Sequence, residues 1–348
     1  MKYNDIVAYA REKLFIIAEA GVNHNGDVET ALRLVDAAID CGCDAIKFQT
    51  WITEKVYSKQ RSLKPEYQAR TTDAAESEFD TIKKLELSFE DFRSIKDYCD
   101  KRGIIFFSTP DEIDSAQFLV GIGMPLMKTA SQDVTNTPFL KQLSGMGLPI
   151  IFSTGACTIA ELAEGVEAVS KHTKDVIILH CVSSYPAPFD QINLSTIPAI
   201  AATFGFPVGF SDHTEGLEVA CAAVALGARV FEKHLTLDRS MPGPDHQASL
   251  EPKEMKAYCK ALRDVHRALG DGVKRIMPCE VDARKAFRRY IVAARDLTAG
   301  VVLSEEDLIF KKVVDGIAPK HIDMFLGRRL LADVAADTPL DWRMLASD

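Results

Sequence analysis

The chain has 348 residues, of which 47% are hydrophobic and 26% are charged, the balance of an ordinary globular protein. This length exceeds the size at which one hydrophobic core usually stops growing, so we expect a large domain followed by a smaller one. The net charge of −9 argues against nucleic acid as a main partner. No apolar stretch approaches the roughly 20 residues of a membrane span, so we expect no membrane partner.

The N-terminus and the cysteines favour a cytoplasmic protein. Residues 1–12 are polar and charged, which is not the pattern of a secretory signal peptide. The eight cysteines include no CxxC pair, and several of them lie within apolar patterns. Because reduced cysteine is among the most buried residue types, we expect free structural thiols. A metal site at Cys41 and Cys43 is the less favoured alternative.

Eight short apolar runs each end in a polar or ionisable residue. They cover residues 15–26, 45–50, 104–110, 125–131, 149–155, 176–182, 207–213 and 229–236. Near-continuous apolar runs are typical of buried parallel strands. A (β/α)₈ barrel enzyme builds its active site from polar groups at the carboxyl ends of its strands. We therefore predict an α/β fold in which residues 1–270 form a TIM barrel.

Helical patterns separate these runs. Apolar residues recur at helical spacing over residues 27–42, and residues 218–227 are rich in alanine. Thr158 and Glu161 form a capping-box pattern at the start of another helix, and Ser88 and Asp91 form a similar start signal. Strands that alternate with helices predict βαβ units and a parallel sheet.

Two segments interrupt this alternation. Residues 51–81 are charged, lack apolar periodicity and follow the second strand, which predicts a lid or binding loop on the catalytic face. Residues 271–285 have the composition of a linker. Residues 286–348 show short strand and turn patterns, and a segment of this size is marginal for a core of its own. We expect it to pack on a barrel, either its own or a partner's.

Two histidines end the last two strands. His213 and His234 can converge above the barrel, because neighbouring strands lie only about 4.8 Å apart. With Glu19, Glu232 and Asp245 nearby, the ligand types predict a divalent-metal site for Mn²⁺, Zn²⁺ or Fe²⁺. The alternative is a hydrogen-bonded histidine pair that binds no metal.

Two lysines lie inside apolar strands. Lys47 and Lys128 occupy the second and fourth runs, and a lysine is almost never buried without a partner. Hydroxyl groups follow at neighbouring strand ends, on Ser131, Ser153, Thr154, Ser183 and Ser211. Ammonium groups combined with hydroxyl donors predict a cradle for a phosphate or a carboxylate.

The first run contains a carboxylate, Glu19, between two alanines. A buried carboxylate is costly unless it is paired or functional, so Glu19 is a candidate general base or acid. The alternative is a structural ion pair with Lys47. The polar turn at residues 23–26 follows directly, and either Asn23 or His24 is a candidate ligand contact.

Seven motifs together resemble one family. They are IAEAGVNHNG (residues 17–26), KFQ (47–49), STP (108–110), STG (153–155), GFSDHT (209–214), EKH (232–234) and GPD (243–245). In this order and spacing they resemble the sialic acid synthases, the phosphoenolpyruvate-dependent nonulosonate synthases. Residues 286–345 resemble the small β-rich antifreeze-like (SAF) domain of that family, so the resemblance covers nearly the whole chain.

The resemblance implies a reaction and a role for each matching residue. Phosphoenolpyruvate would condense with an N-acyl hexosamine, of the N-acetylmannosamine or 2,4-diacetamido-6-deoxymannose type, to give a nine-carbon α-keto acid and phosphate. The metal, most often Mn²⁺ with Mg²⁺, Co²⁺ or Fe²⁺ as alternatives, would be held by His213 and His234. The implied phosphoenolpyruvate contacts are Lys47, Lys128, Ser131, Ser153, Ser183 and Ser211. The implied sugar contacts are Gln49, Asp133, Tyr185, Asp245 and Lys312. The implied catalytic residues are Glu19, which positions or activates water, together with Lys47 and Asp245.

The family resemblance also implies a domain-swapped homodimer, in which each antifreeze-like domain caps the partner's barrel and lends a basic residue. Lys312 stands where that residue is usually arginine, and lysine lacks the bidentate fork of arginine. Ser183 replaces an asparagine of some members, Asp111 replaces a phenylalanine, and Asp133 replaces a frequent glutamate. Residues 243–250 favour a legionaminic- or neuraminic-type product over a pseudaminic one.

Two other functions compete with this interpretation. A pyruvate-dependent barrel aldolase needs a Schiff-base lysine, and in sialic acid aldolases it ends the sixth strand, where this chain has residues 180–183 without lysine. A non-catalytic sugar-binding protein of polysaccharide biosynthesis would not need a buried Glu19, Lys47 and paired histidines.

Overall fold

The computed structural model describes residues 6–61, 64–73 and 75–346, without the side chains of Glu66, Tyr67 and Arg70. The chain divides into two compact units, Met1–Gly270 and Asp271–Asp348. Among the described residues, no helix combines the length and the apolar character that crossing a membrane requires.

The first unit contains an eight-stranded parallel sheet. Its strands are β1 (Phe15–Gly21), β2 (Ala45–Thr50), β3 (Ile105–Pro110), β4 (Met127–Thr129), β5 (Ile150–Ser153), β6 (Val176–Cys181), β7 (Val208–Asp212) and β8 (Val230–His234). Their order is β3-β2-β1-β8-β7-β6-β5-β4, and β3 and β4 at the two ends lie against each other. The strands thus form a nearly closed barrel, and the predicted (β/α)₈ fold is confirmed.

Helices connect the strands of the barrel. They are α1 (Ile6–Glu12), α2 (Val28–Cys41), α3 (Thr53–Val56), α4 (Glu66–Thr71), α5 (Glu78–Leu85), α6 (Phe89–Arg102), α7 (Ile113–Gly121), α8 (Thr137–Ser144), α9 (Ile159–Ser170), α10 (Thr196–Phe204), α11 (Glu218–Ala225) and α12 (Pro252–Leu269). The predicted capping boxes begin α6 at Ser88 and α9 at Thr158. Helix α2 begins after the N-cap Asp27 and ends at Gly42 in the left-handed conformation, which glycine adopts without steric cost.

The barrel strands are buried on both faces. Every residue of β1, β6, β7 and β8 is buried, which explains why these strands read as apolar runs. Gly209 lets β7 approach β8 closely, because a Cβ at this position would lie 2.1 Å from the Val230 carbonyl oxygen. Since β7 leads into His213 and β8 ends at His234, this approach also brings the two histidines together.

The segment after β2, which the sequence predicted to be a lid or binding loop, contains regular secondary structure. It contains α3, α4 and the start of α5, and a small apolar cluster of Val22, Trp51, Ile82 and Leu85 lies beside it. Lys64 Nζ also donates to Thr81 Oγ1 at 2.9 Å. Apolar contacts and side-chain hydrogen bonds therefore organise this excursion.

The second unit has a core of its own. Helix α13 (Val281–Phe287) precedes β9 (Arg289–Ala293), which pairs antiparallel with β10 (Leu308–Lys312). The buried members of the core include Ile291, Phe325 and Leu330. Helix α13 crosses the boundary that the sequence suggested between a linker ending at residue 285 and the following domain.

Candidate active site

A cavity of about 590 Å³ is lined by residues at the carboxyl ends of the barrel strands. Except for Asp133, Thr154, Asn23 and His24, the site residues predicted within this unit line it. These residues are Glu19, Lys47, Gln49, Lys128, Ser131, Ser153, Ser183, Tyr185, Ser211, His213, His234 and Asp245. Strands as far apart in the sequence as β1 and β8 thus contribute side chains to one site.

One side of the cavity holds a buried ion pair. Lys47 Nζ lies 2.7 Å from Glu19 Oε2, and Gln49 Nε2 donates to Glu19 Oε1 at 3.0 Å. Burial raises the pKa of Glu19 to about 7, although Lys47 opposes the shift. The ion pair considered as an alternative is therefore present, but it faces the cavity. A carboxyl with a pKa near neutrality is suited to proton transfer.

A second cluster surrounds Glu232. Its Oε1 accepts from Ser211 Oγ at 2.9 Å, and its Oε2 lies 3.7 Å from Lys128 Nζ and 3.8 Å from Lys47 Nζ. Burial would raise the pKa of Glu232, but the two lysines outweigh burial and lower it to about 2. Burial lowers the pKa of Lys128, whose Nζ donates to Ser153 Oγ at 2.6 Å. Glu232 thus supplies a negative charge that holds two buried ammonium groups together.

Hydroxyl groups form a concave surface next to the lysines. Ser131 Oγ accepts from the Gly155 amide at 2.9 Å. A Cβ at Gly155 would lie 2.1 Å from Ser183 Oγ and 2.8 Å from Ser131 Oγ, so glycine keeps this space open. Two cations and several hydroxyls around a cradle of this kind suit an anion with phosphate or carboxylate oxygens.

The two histidine rings lie next to each other in the lining of the same cavity. Their ring centroids are 5.5 Å apart, and the Tyr185 ring lies 4.1 Å from that of His213. His213 Nδ1 donates to the Val182 carbonyl at 2.8 Å, which leaves Nε2 as the acceptor nitrogen. His234 Nδ1 has no hydrogen-bond partner among the described residues and lies 3.8 Å from Asp245 Oδ2.

These donors fit a divalent metal with open positions. Burial, reinforced by His213, holds the pKa of His234 well below its ordinary value, so this imidazole is neutral, the form that binds metals. Burial also raises the pKa of Asp245 to about 6. Within the described parts of the chain, no three His, Cys, Asp or Glu side chains form a complete metal cage. The site therefore offers two imidazoles and an adjacent carboxylate, and leaves the remaining positions to substrate or water.

Comparison with known proteins identifies the family. Residues 34–274 match the model of the NeuB family, and residues 288–346 match that of the SAF domain. The chain belongs to the NeuB family.

Similar proteins carry names that agree with this membership. The N,N'-diacetyllegionaminic acid synthase of Legionella pneumophila is 40% identical, covering 94% of this chain and 93% of the relative. Its namesake from Campylobacter jejuni is 39% identical, covering 91% and 96%. The crystal structure of an N-acetylneuraminic acid synthetase from Leptospira borgpetersenii, in complex with citrate, is 34% identical with a TM-score of 0.70, covering 79% of this chain and 91% of that one. The NeuB chain is accordingly a transferase-type synthase that forms a carbon–carbon bond.

Five residues named from the sequence do not line the cavity, and one of them, Thr154, donates its hydroxyl hydrogen to the Leu179 carbonyl at 2.9 Å. Asp133 does not line the cavity, and its Oδ1 accepts from Asn136 Nδ2 at 3.4 Å. Asn23 and His24, candidate ligand contacts, are buried and also lie outside the cavity lining. Lys312 is an exposed residue of β10 in the second unit, where its Nζ lies 5.1 Å from the Phe287 ring centroid.

The cavity also contains residues that the sequence analysis did not assign. Thr109 Oγ1 accepts from Lys47 Nζ at 2.9 Å. Asp111 as a residue is partly exposed, but burial of its carboxyl group raises its pKa to about 8, and the nearby Asp133 carboxyl adds to the shift. Both residues line the cavity at the end of β3. The principle that polar residues at the carboxyl ends of barrel strands form the active site could therefore have identified them from the sequence. Tyr57 and Gln68 line the cavity too, which confirms that the excursion after β2 reaches the catalytic face.

Proposed function

We propose that the chain condenses phosphoenolpyruvate with an N-acyl hexosamine and water to give a nine-carbon, sialic-acid-like α-keto acid and phosphate. The observation that carries this proposal is the juxtaposition of an anion cradle and a histidine pair in one cavity. Lys47, Lys128 and the neighbouring hydroxyls line the same cavity as His213 and His234. A reaction that joins an anionic enol to a carbonyl needs both environments within bonding reach of each other.

The anion side binds phosphoenolpyruvate in this proposal. Lys47 and Lys128 supply positive charge, and Ser131, Ser153 and Ser183 donate hydrogen bonds to phosphate or carboxylate oxygens. Glu232 keeps both ammonium groups in place before the substrate arrives, since its Oε2 lies within 4 Å of each. Such preorganised charges stabilise developing charge without rearrangement during the reaction.

The histidine side binds the divalent cofactor, for which Mn²⁺ is the favoured ion and Mg²⁺, Co²⁺ or Fe²⁺ are alternatives. A bound ion supplies Lewis-acid polarisation of a carbonyl oxygen. His213 is oriented by its bond to Val182, and His234 keeps its free Nδ1 beside Asp245. Asp245, Gln49 and Tyr185 line the cavity around this point, and we assign them to the sugar.

Glu19 activates the attacking water in this proposal. Its raised pKa of about 7 allows it to accept a proton near neutrality. Lys47 Nζ, 2.7 Å away, stabilises the ionised form when it is needed. Glu19 and the phosphoenolpyruvate cradle share Lys47, so proton transfer and anion binding occur at adjacent points.

The acceptor is, by the same proposal, a 2,4-diacetamido-6-deoxymannose-type sugar, with N-acetylmannosamine as the second candidate. Two relatives at 39% and 40% identity are named legionaminic acid synthases, and this supports the choice. A phosphate-release assay with phosphoenolpyruvate, each divalent metal and both sugars tests it. No phosphate release with any combination would contradict the synthase. Borohydride trapping of pyruvate on Lys47 or Lys128 would favour the aldolase instead.

The active assembly is proposed to be a domain-swapped homodimer in which Lys312 of one chain contacts the sugar in the partner's barrel. Lys312→Ala should then raise the KM for the sugar by about tenfold, as expected for one charge-assisted hydrogen bond, with little effect on the KM for phosphoenolpyruvate. Lys311→Ala is the matched control, because Lys311 on the same strand pairs with Asp337. Equal changes in both KM values, or a monomer by light scattering, would contradict the capping role.

A further inference from the structure

The turn after β1 carries the sequence VNHNG, which belongs to the family motif although its two asparagines and histidine do not line the cavity. Its two asparagine side chains bond instead to the loop between β8 and α12, which carries Asp245. This loop leaves the barrel after His234 and returns where Leu250 pairs with Leu235. The turn therefore contacts the segment that brings Asp245 to the site.

Asn23 is the central contact. It is 1% exposed, and its Nδ2 donates both to the Leu235 carbonyl and to Ser249 Oγ, each at 2.9 Å. Ser249 Oγ in turn donates to the main-chain carbonyl of Asp245 at 2.6 Å. One amide group therefore joins the start of the loop, directly after His234, to Ser249 near its end, and Ser249 bonds back to the main chain of Asp245.

A second asparagine fixes the other side of the loop. Asn25 Nδ2 donates to the Pro242 carbonyl at 2.9 Å, and its Oδ1 accepts from His246 Nε2 at 3.1 Å. His246 Nδ1 also lies within hydrogen-bond distance of Thr236 Oγ1, at 2.6 Å, so both ring nitrogens are held. The residues on both sides of Asp245 are thus bonded to the turn after β1.

We propose that Asn23 and Ser249 are positioning residues that hold the Asp245 carboxylate beside His234, and that Asn25 and His246 fix the opposite side of the same loop. Asp245 Oδ2 lies 3.8 Å from His234 Nδ1, a separation that a small loop movement would change. None of these four residues touches the reacting groups. The inference rests on the proposed role of Asp245 at the sugar end of the site.

Hydrogen exchange tests the structural half of the proposal without any substrate. Asn23→Asp keeps the shape of the side chain but loses the Nδ2 donor, and Ser249→Ala removes the next link. Peptides covering residues 236–249 should exchange about tenfold faster in both variants. Ser144→Ala is the control, because it removes an equally buried hydroxyl that bonds to Lys141, and it should leave these peptides unchanged. Unchanged exchange in Asn23→Asp and Ser249→Ala would overturn the proposal.

A double-mutant cycle tests whether Asn23 acts through Asp245. Asn23→Asp should lower kcat/KM for the sugar by about tenfold, within the range measured for groups that orient ligating side chains. The KM for phosphoenolpyruvate should change less than about twofold. In an Asp245→Asn background, Asn23→Asp should have almost no further effect, because coupled residues are not additive. Equal losses in both backgrounds would show a general structural role and overturn the proposal.

The two experiments separate this inference from the proposed function. If the wild-type protein releases no phosphate with any sugar, the synthase proposal fails, and hydrogen exchange still decides whether Asn23 holds the loop. If the wild-type protein is active and the cycle is additive, the synthase proposal stands and the positioning role fails.

Discussion

Strands β7 and β8 carry buried polar side chains on two opposite faces. The two faces differ in how many of these side-chain atoms have hydrogen-bond partners. On the cavity side lie Ser211, Glu232 and His234, together with His213 after the end of β7. On the opposite side, Asp212 and Lys233 are direct partners in the register, and neither lines the cavity. Adjacent residues of the same two strands thus belong to two different environments, as the alternation of side chains along a strand requires.

The face away from the cavity is fully satisfied. Lys233 Nζ lies 3.2 Å from Asp212 Oδ2 and also donates to the Thr214 carbonyl. Asp212 Oδ1 accepts from the Thr214 amide at 2.9 Å, and its Oδ2 accepts from Tyr258 OH at 3.2 Å. On the cavity face, by contrast, Glu232 Oε2 and His234 Nδ1 have no hydrogen-bond partner among the described residues. A buried polar atom without a hydrogen-bond partner is costly, so the two faces differ in how fully their buried polar groups are satisfied.

The largest effect should come from the cavity face. His234→Ala or His213→Ala should lower kcat/KM at least about 1,000-fold, because the loss of Lewis-acid stabilisation is worth several kcal/mol. Binding of Co²⁺, followed by its visible absorption, should weaken in parallel. His172→Ala, which changes an exposed histidine, is the control. Activity that survives in chelator-treated His213→Ala would contradict the metal assignment.

The second largest loss of activity should come from changing Glu19, the carboxylate of β1. Glu19→Gln should lower kcat by about 1,000-fold, within the usual range for loss of a general base. Phosphoenolpyruvate binding, measured by calorimetry, should remain within about threefold of wild type. If binding is lost together with turnover, Glu19 serves mainly to hold Lys47, and the structural ion pair becomes the better interpretation.

Much of the fold could be predicted from the sequence because barrel strands are buried on both faces. The eight apolar runs correspond to β1 through β8. Helices α3 and α4 were missed because they have 4 and 6 residues, too few for a periodic pattern and too short to be stable alone. The conformation of this segment depends on tertiary contacts, such as those of Trp51 and Ile82. Such contacts between distant residues cannot be inferred from the local sequence pattern.

The site could be predicted wherever a side chain belongs to a strand end. Asn23 and His24 do not line the cavity, because the register shifts between Glu19 and Gly21 and the alternation of β1 ends there. Asp133 lies in a 3₁₀ turn with three residues per turn. The neighbouring Gln132 and Thr135 line the cavity and Asp133 does not. Sequence position alone does not fix the direction of side chains in such turns.

The third prediction concerns the face away from the cavity. Lys233→Met should lower the free energy of unfolding by about 3 kcal/mol, the lower end for a broken buried pair, since Asp212 keeps its other donors. Adding Asp212→Asn removes the uncompensated charge and should recover at least half of the loss, measured by urea unfolding. The double variant should keep kcat/KM within about threefold of wild type. A 100-fold loss of activity in a stable double variant would show that this face also serves the site.

The smallest effect is the pH dependence that Glu19 gives to stability. Its pKa is about 7 in the folded protein against an ordinary 4.5, so its contribution is fully present below about pH 4.5 and is lost as the pH rises through 7. Relative to Glu19→Gln, the wild-type protein should therefore lose on the order of 3 kcal/mol of unfolding free energy across this interval. Urea unfolding at several pH values measures the difference, with Glu164→Gln as a control for removing an exposed carboxylate. A difference that is constant with pH would mean that Lys47 keeps Glu19 ionised throughout. Glu19 would then be a structural charge like Asp212, and the contrast between the two faces would no longer extend to β1.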